Sequence, residues 1–187
     1  MLKRLVILTL LTAPLGAWAF FKPIRAATPE LTGLTCPDPL ICIDTASRFD
    51  EASRLYREAL AFVQAGVGQI RHHPRVIFCA TQECYRSFGF GESAANTVAE
   101  IGIVVSPRAW KPHYLRHEMI HHLQNERLGS IKTWLALPEW FVEGMAYSLS
   151  EDPRRTLAQP WQRYRSEFDV WYRHVGKEQL WTEASRL

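Results

Sequence analysis

Between Thr45 and Val67 the apolar residues Phe49, Leu55, Tyr56, Leu60 and Val63 recur at helical spacing, with charged positions between them. That pattern predicts an amphipathic helix, ended by Gly66 and Gly68. Arg75–Ala80 (RVIFCA) is short, β-branched and aromatic, and predicts a strand. Thr81–Phe88 predicts one or two helical turns with Thr81 as N-cap, broken at Gly89 and Gly91. Ala99–Ser106 (AEIGIVVS) predicts a second strand, stopped by Pro107. Pro112 suits the first turn of a helix, which should run to about Leu128 and stop at Gly129. A further helix is expected from near Pro138 to Leu149, ahead of Asp152-Pro153. From Leu157 onward, Trp161, Tyr164, Phe168, Trp171, Tyr172 and Trp181 form an aromatic helical face, broken at Gly176, that should pack on the other helices. The order helix, strand, helix, strand, then helices predicts an α+β arrangement.

The two ends of the pattern differ. Met1-Leu2-Lys3-Arg4 is a short basic start, Leu5 to Phe21 is predominantly apolar, and Ala17-Trp18-Ala19 has the form of a cleavage site. Residues 1–19 therefore read as a signal peptide cut after Ala19 or, if retained, as an N-terminal membrane anchor. Either way the rest of the chain is expected to be exported, periplasmic or extracellular, with a membrane tether in the second case. Residues 20–44 contain Pro23, Pro29 and Gly33 without periodicity and are expected to be an extended lead-in, leaving 45–187 as the folded domain.

Composition narrows the class. The chain has 187 residues, 47% hydrophobic and 22% charged, which suits one globular domain and argues against a mostly disordered chain. Lys+Arg 22 against Asp+Glu 19 leaves a net charge of +3, too weak a bias to point to a nucleic-acid partner. The four cysteines form two close pairs, Cys36/Cys42 and Cys79/Cys84. In an exported chain these read as two local disulfides; a four-thiolate zinc site is the competing arrangement, but neither pair has its usual two-residue gap.

The candidate chemistry lies on the helix beginning at Pro112. His117-Glu118-Met119-Ile120-His121 places two histidines four residues apart, so both imidazoles project from one face toward a single metal ion. Glu118, beside the first of them, can reach a water on that metal without being a ligand. Such a site wants a third protein ligand and an open fourth position. The stretch Trp140-Phe141-Val142-Glu143-Gly144-Met145-Ala146 offers Glu143 on a second helix. Glu139 competes for the role, but an acidic residue in a first helical turn is favoured by the helix dipole alone. His113 and His121 are two turns apart and cannot share an ion. His122 points away from His121, and His72-His73 precede a proline in a turn. None of these is expected to be a ligand.

An H-E-x-x-H followed by W-x-x-E-G-x-A resembles the gluzincins, the zinc metallopeptidase group with thermolysin-like and aminopeptidase-like branches. The resemblance covers about residues 99–150. The matching motif of the aminopeptidase-like branch makes its Glu the third ligand, here Glu143. The chain departs from the pattern in three places: 21 residues separate His121 from Glu143, Val142 replaces the usual Asn, and Tyr147 stands where the thermolysin-like branch has an Asp. The resemblance implies a zincin-like α+β fold: a small mixed sheet, an active-site helix and a C-terminal helical part. It implies one Zn2+ per chain on His117, His121 and Glu143, and hydrolysis of peptides or proteins with Glu118 as general base. It also implies that the strand Ile101–Val105 is the sheet edge above the cleft, where a peptide could pair as an added strand. The sequence does not place a further oxyanion donor: Tyr147, Tyr164, Tyr172 and His174 are candidates, but each reads more readily as a core aromatic or a surface histidine. The alternative to an enzyme is a metal-holding, non-catalytic module that binds a peptide or a cell-envelope partner.

Overall fold

The computed structural model describes residues 21–187. The expected export segment lies outside the described residues. The architecture is α+β, built on one five-stranded mixed sheet of order β1-β2-β3-β5-β4. Its strands are β1 (Thr35–Asp38), β2 (Ile41–Ile43), β3 (Val76–Phe78), β4 (Ala95–Val98) and β5 (Gly102–Val105). β2, β3 and β5 run parallel, while β1 and β4 lie antiparallel at the two edges.

The central strands are buried at every position, because both faces of the sheet are covered. Alternation along each strand divides the core in two. Ile41, Ile43, Val76, Phe78, Ile103 and Val105 face the large helical layer. Cys42, Ile77 and Val104 face a smaller cluster with Ala26, Tyr85 and Phe88. The helical layer contains α1 (Phe49–Gly66), α3 (Pro112–Leu128), α5 (Glu139–Leu149) and α6 (Trp161–Ala184), the last kinked at Gly176, whose φ is 71°, as the sequence predicts. The opposite face carries the short α2 (Gln82–Ser87), where the Thr81 side chain accepts a hydrogen bond from the Cys84 N–H as an N-cap.

The described part of the expected lead-in, residues 21–44, is not merely extended. Within them, two 3-10 turns, Lys22–Ala27 and Pro29–Thr32, are followed by β1 and β2. Pro37 hides this strand in the sequence, but a proline is tolerated where the strand lies at a sheet edge. The Cys36–Cys42 disulfide joins β1 to β2, and Cys79–Cys84 joins the residue after β3 to α2. Both expected pairings are present, and both suit an oxidising compartment. No helix among the described residues is long and apolar enough to cross a membrane.

The region before α3 also differs from expectation. Ala99–Ser106 is not one strand. Ala99 to Ile101 form the turn of a hairpin, with Ala99 at φ 47° and the Ile101 N–H bonded to the Val98 carbonyl at 2.8 Å. β4, with two polar residues in four, pairs antiparallel with β5. The sheet edge is therefore β4, and β5 lies between β3 and β4. The continuous apolar run of β5 reflects burial between neighbours rather than a position at the rim. A short helix, α4 (Ser130–Leu135), follows Gly129, which ends α3 at φ 86°, a conformation that favours glycine. α4 leaves Ile131, Trp134 and Leu135 exposed, so its pattern carries no amphipathic signal.

Candidate metal centre

α3 turns Leu115, Met119, Ile120 and Leu123 into the core. The opposite side of the helix carries His117 and His121 into a cleft of about 1000 Å³, which Glu118 and Glu143 also line. Glu143 is presented by α5. Behind it, α5 packs tightly on α6: a Cβ added to Gly144 would sit 2.3 Å from the Tyr164 carbonyl oxygen. The small residue beside Glu143 thus serves the approach of α6.

The three candidate ligands meet. His117 Nε2 and His121 Nε2 are 3.0 Å apart, and each lies 3.6 Å from a Glu143 carboxylate oxygen. Donor atoms at about 2.0–2.1 Å in a tetrahedral zinc site stand about 3.3 Å from one another, so the observed separations bracket that geometry. Two imidazole nitrogens facing each other beside a carboxylate also form a pocket that calls for a cation. These residues are one of two groups among the described residues whose His, Cys or acidic side chains converge closely; the other contains the disulfide-bonded Cys36 and Cys42 with Glu30.

Local bonding prepares His121 for this role. Gln124 donates from Nε2 to the Val142 carbonyl at 3.0 Å, which turns its Oε1 to His121 Nδ1 at 2.9 Å. Nδ1 then carries the proton and donates it, leaving Nε2 with a lone pair toward His117 and Glu143. Gln124 is fully buried. It escaped the motif-based reading, although its position three residues after His121 on one helix face was the available signal.

Electrostatics at the site are set by proximity. Burial alone would raise the Glu143 carboxyl, but the charges of His121 and of the adjacent His117 bring it down to about 2. Burial likewise opposes charge on His117, yet the adjacent Glu143 and Glu118 carboxylates raise its pKa. Glu118 is buried beside them, 7% exposed, with its Oε2 2.8 Å from the Thr97 hydroxyl of β4.

The other candidates separate cleanly. Glu139 accepts a hydrogen bond from the Tyr164 hydroxyl at 2.5 Å and lies outside the converging group. Tyr172 stacks on Phe168 at 5.4 Å, and His174 Nδ1 lies 2.8 Å from the Val170 carbonyl of its own helix. Tyr147 alone of the four suggested donors lines the cleft, its ring 4.5 Å from that of His117. Burial and the Glu143 charge push its hydroxyl up to about 12, so it remains a neutral O–H donor at neutral pH. His122 donates through Nε2 to the His72 carbonyl at 2.7 Å, and His72 pairs with Glu126, so both serve the fold.

Comparisons with protein-family models, with curated proteins and with solved structures found no match to this chain.

Proposed function

We propose that this chain is an exported, zinc-dependent peptide hydrolase of zincin-like architecture, related in its motifs to the gluzincins. The observation that carries the reading is the convergence of His117, His121 and Glu143 with a separate carboxylate, Glu118, held beside them by Thr97. The donor set of two imidazoles and one carboxylate suits zinc in a hydrolytic site. When bound there, zinc would supply an acidified water and a Lewis acid.

Glu118 would take the proton from the attacking water and return it to the leaving nitrogen, so that the water oxygen joins the carbonyl carbon as the C–N bond breaks. The products are a carboxylate and an amine. Tyr147 would supply the additional hydrogen bond to the carbonyl oxygen. The peptide would lie along β4, whose outer edge has no partner strand among the described residues and whose residues line the cleft.

The test is metal analysis of the purified protein together with hydrolysis of a mixed peptide library, before and after chelation. One zinc per chain and cleavage restored by added Zn2+ are expected. Stoichiometric zinc without cleavage across the library would turn the reading to a binding module.

A further inference from the structure

Charge is unevenly distributed along the cleft. Outside the central site, its charged lining residues are Arg108, Asp152 and Arg154. All three lie at one end. β4 and α3 run in the same direction, since Thr97 contacts Glu118 and the Asn125 side chain donates to the Ala99 carbonyl. Arg108 bonds the Glu92 carbonyl just ahead of β4, and the Arg154 guanidinium lies 5.5 Å from the ring of Tyr114 in the first turn of α3. The opposite end is lined by the uncharged Asn125, Ser130, Ile131 and Trp134, with the one nearby carboxylate, Glu100, accepting a hydrogen bond from Ser130.

Arg154 is fixed in place. Asp152, with a side chain only 2% exposed, accepts from its Nε and Nη2. Nη1 has no acceptor among the described residues, and the side chain is 42% exposed. A guanidinium oriented by a buried carboxylate, with donors left over in an open cleft, is suited to a carboxylate ligand.

We infer that Arg154 forms a subsite for the C-terminal carboxylate of the peptide, which makes this cleft one that trims peptides from a free C-terminus. The inference rests on the peptide-hydrolase reading. A peptide paired antiparallel to β4 has its C-terminus toward the start of that strand, at Arg154 and Arg108. Parallel pairing would bring its N-terminal ammonium to the same two cations. The reach is also right. The Tyr147 ring lies 4.5 Å from the His117 ring and 5.7 Å from Arg154 Cζ, which puts the guanidinium within about 10 Å of His117. An extended chain advances about 3.3–3.6 Å per residue, so the carboxylate held there belongs to the first or second residue beyond the scissile bond. The expected products are free amino acids or dipeptides.

The experiment uses acetylated pentapeptides of mixed sequence, each made as a free acid and as a C-terminal amide. Binding to zinc-loaded Glu118→Gln protein is measured by calorimetry, and hydrolysis is followed with the unaltered chain. The free acids should bind at least about tenfold tighter than the amides, as expected for a charge-assisted hydrogen bond. Adding Arg154→Gln should remove that preference, and Arg154→Lys should retain part of it. Equal binding of acids and amides by the Glu118→Gln protein overturns the inference without needing an Arg154 variant to fold. A preference that survives Arg154→Gln overturns it as well. Hydrolysis of acids and amides at equal rates would leave the peptidase standing and the subsite refuted. An acid preference in binding with no hydrolysis by the unaltered chain would sustain the subsite and refute the peptidase.

Discussion

The Thr97 hydroxyl on β4 lies 2.8 Å from Glu118 Oε2 and 2.9 Å from the Glu118 main-chain carbonyl on α3. Its single proton bonds one of these oxygens at a time. The contact ties the sheet edge to α3 and restrains the carboxylate proposed as the base. Thr97→Val should lower kcat by about tenfold to a hundredfold, following about 1.5–3 kcal/mol for a hydrogen bond to a charged group. Zinc content should be unchanged, and Thr97→Ser should restore most of the loss. Unaltered kcat in Thr97→Val would show that Glu118 is positioned by other contacts.

Metal binding and proton transfer should come apart by residue. Glu118→Gln should keep zinc and lose hydrolysis, because an amide cannot accept and return the proton. Glu143→Ala should lose zinc, since two histidines alone hold it poorly. Glu139→Gln should leave zinc binding intact, because that carboxylate is engaged by Tyr164. Gln124→Leu should weaken zinc by about tenfold to a hundredfold by releasing the His121 tautomer. Competitive metal titration with a chromophoric chelator measures all four. Loss of zinc from Glu139→Gln with retention in Glu143→Ala would mean that the other glutamate is the ligand.

Away from the site, Glu126 gives the fold an acid-sensitive element. It accepts bonds from the Arg71 N–H at 3.0 Å and from the His72 N–H at 2.8 Å, and its Oε1 is 2.9 Å from His72 Nδ1. Burial raises the carboxyl pKa, but these partners outweigh it and leave it below the ordinary value of 4.5. A folded pKa below the unfolded one stabilises fully above 4.5, and that contribution is lost as pH falls through the folded value. Glu126→Ala should lose about 1.5–3 kcal/mol at pH 7. The difference from the unaltered chain should shrink as the pH is lowered below 4.5. Urea unfolding across that range measures it, and a difference independent of pH would exclude the carboxylate as its source.

At Gly144 α5 packs directly against the α6 main chain. A Cβ there would stand 2.3 Å from the Tyr164 carbonyl oxygen and 2.8 Å from Phe168 Cβ, the first of them main chain that cannot swing aside. Gly144→Ala should destabilise by at least about 1–3 kcal/mol, an overpacking cost that exceeds any gain in helix propensity. It should also reduce zinc affinity, because Glu143 is the adjacent residue. Thermal unfolding and metal titration report the two effects. An unchanged melting temperature would show that the helices separate freely.

The sequence by itself determined the long helices, the two disulfide pairs and the candidate ligands, because each depends on local periodicity or spacing. His117 and His121 share a face through the helical repeat alone, and Glu143 stands out for its place in a second short motif. Tertiary structure decided what depends on pairing and packing between distant segments. β1 was hidden by Pro37, which is tolerated only because the strand lies at an edge. β4 was hidden by its polar residues, and only pairing with β5 makes it a strand and the rim of the cleft. Gln124 could be counted on the helix, but its contact with Val142 came from the packing of α5, and that contact orients the amide toward His121. The end of the cleft that holds Arg154 was likewise set by the shared direction of β4 and α3, a relation between two elements that no local pattern encodes.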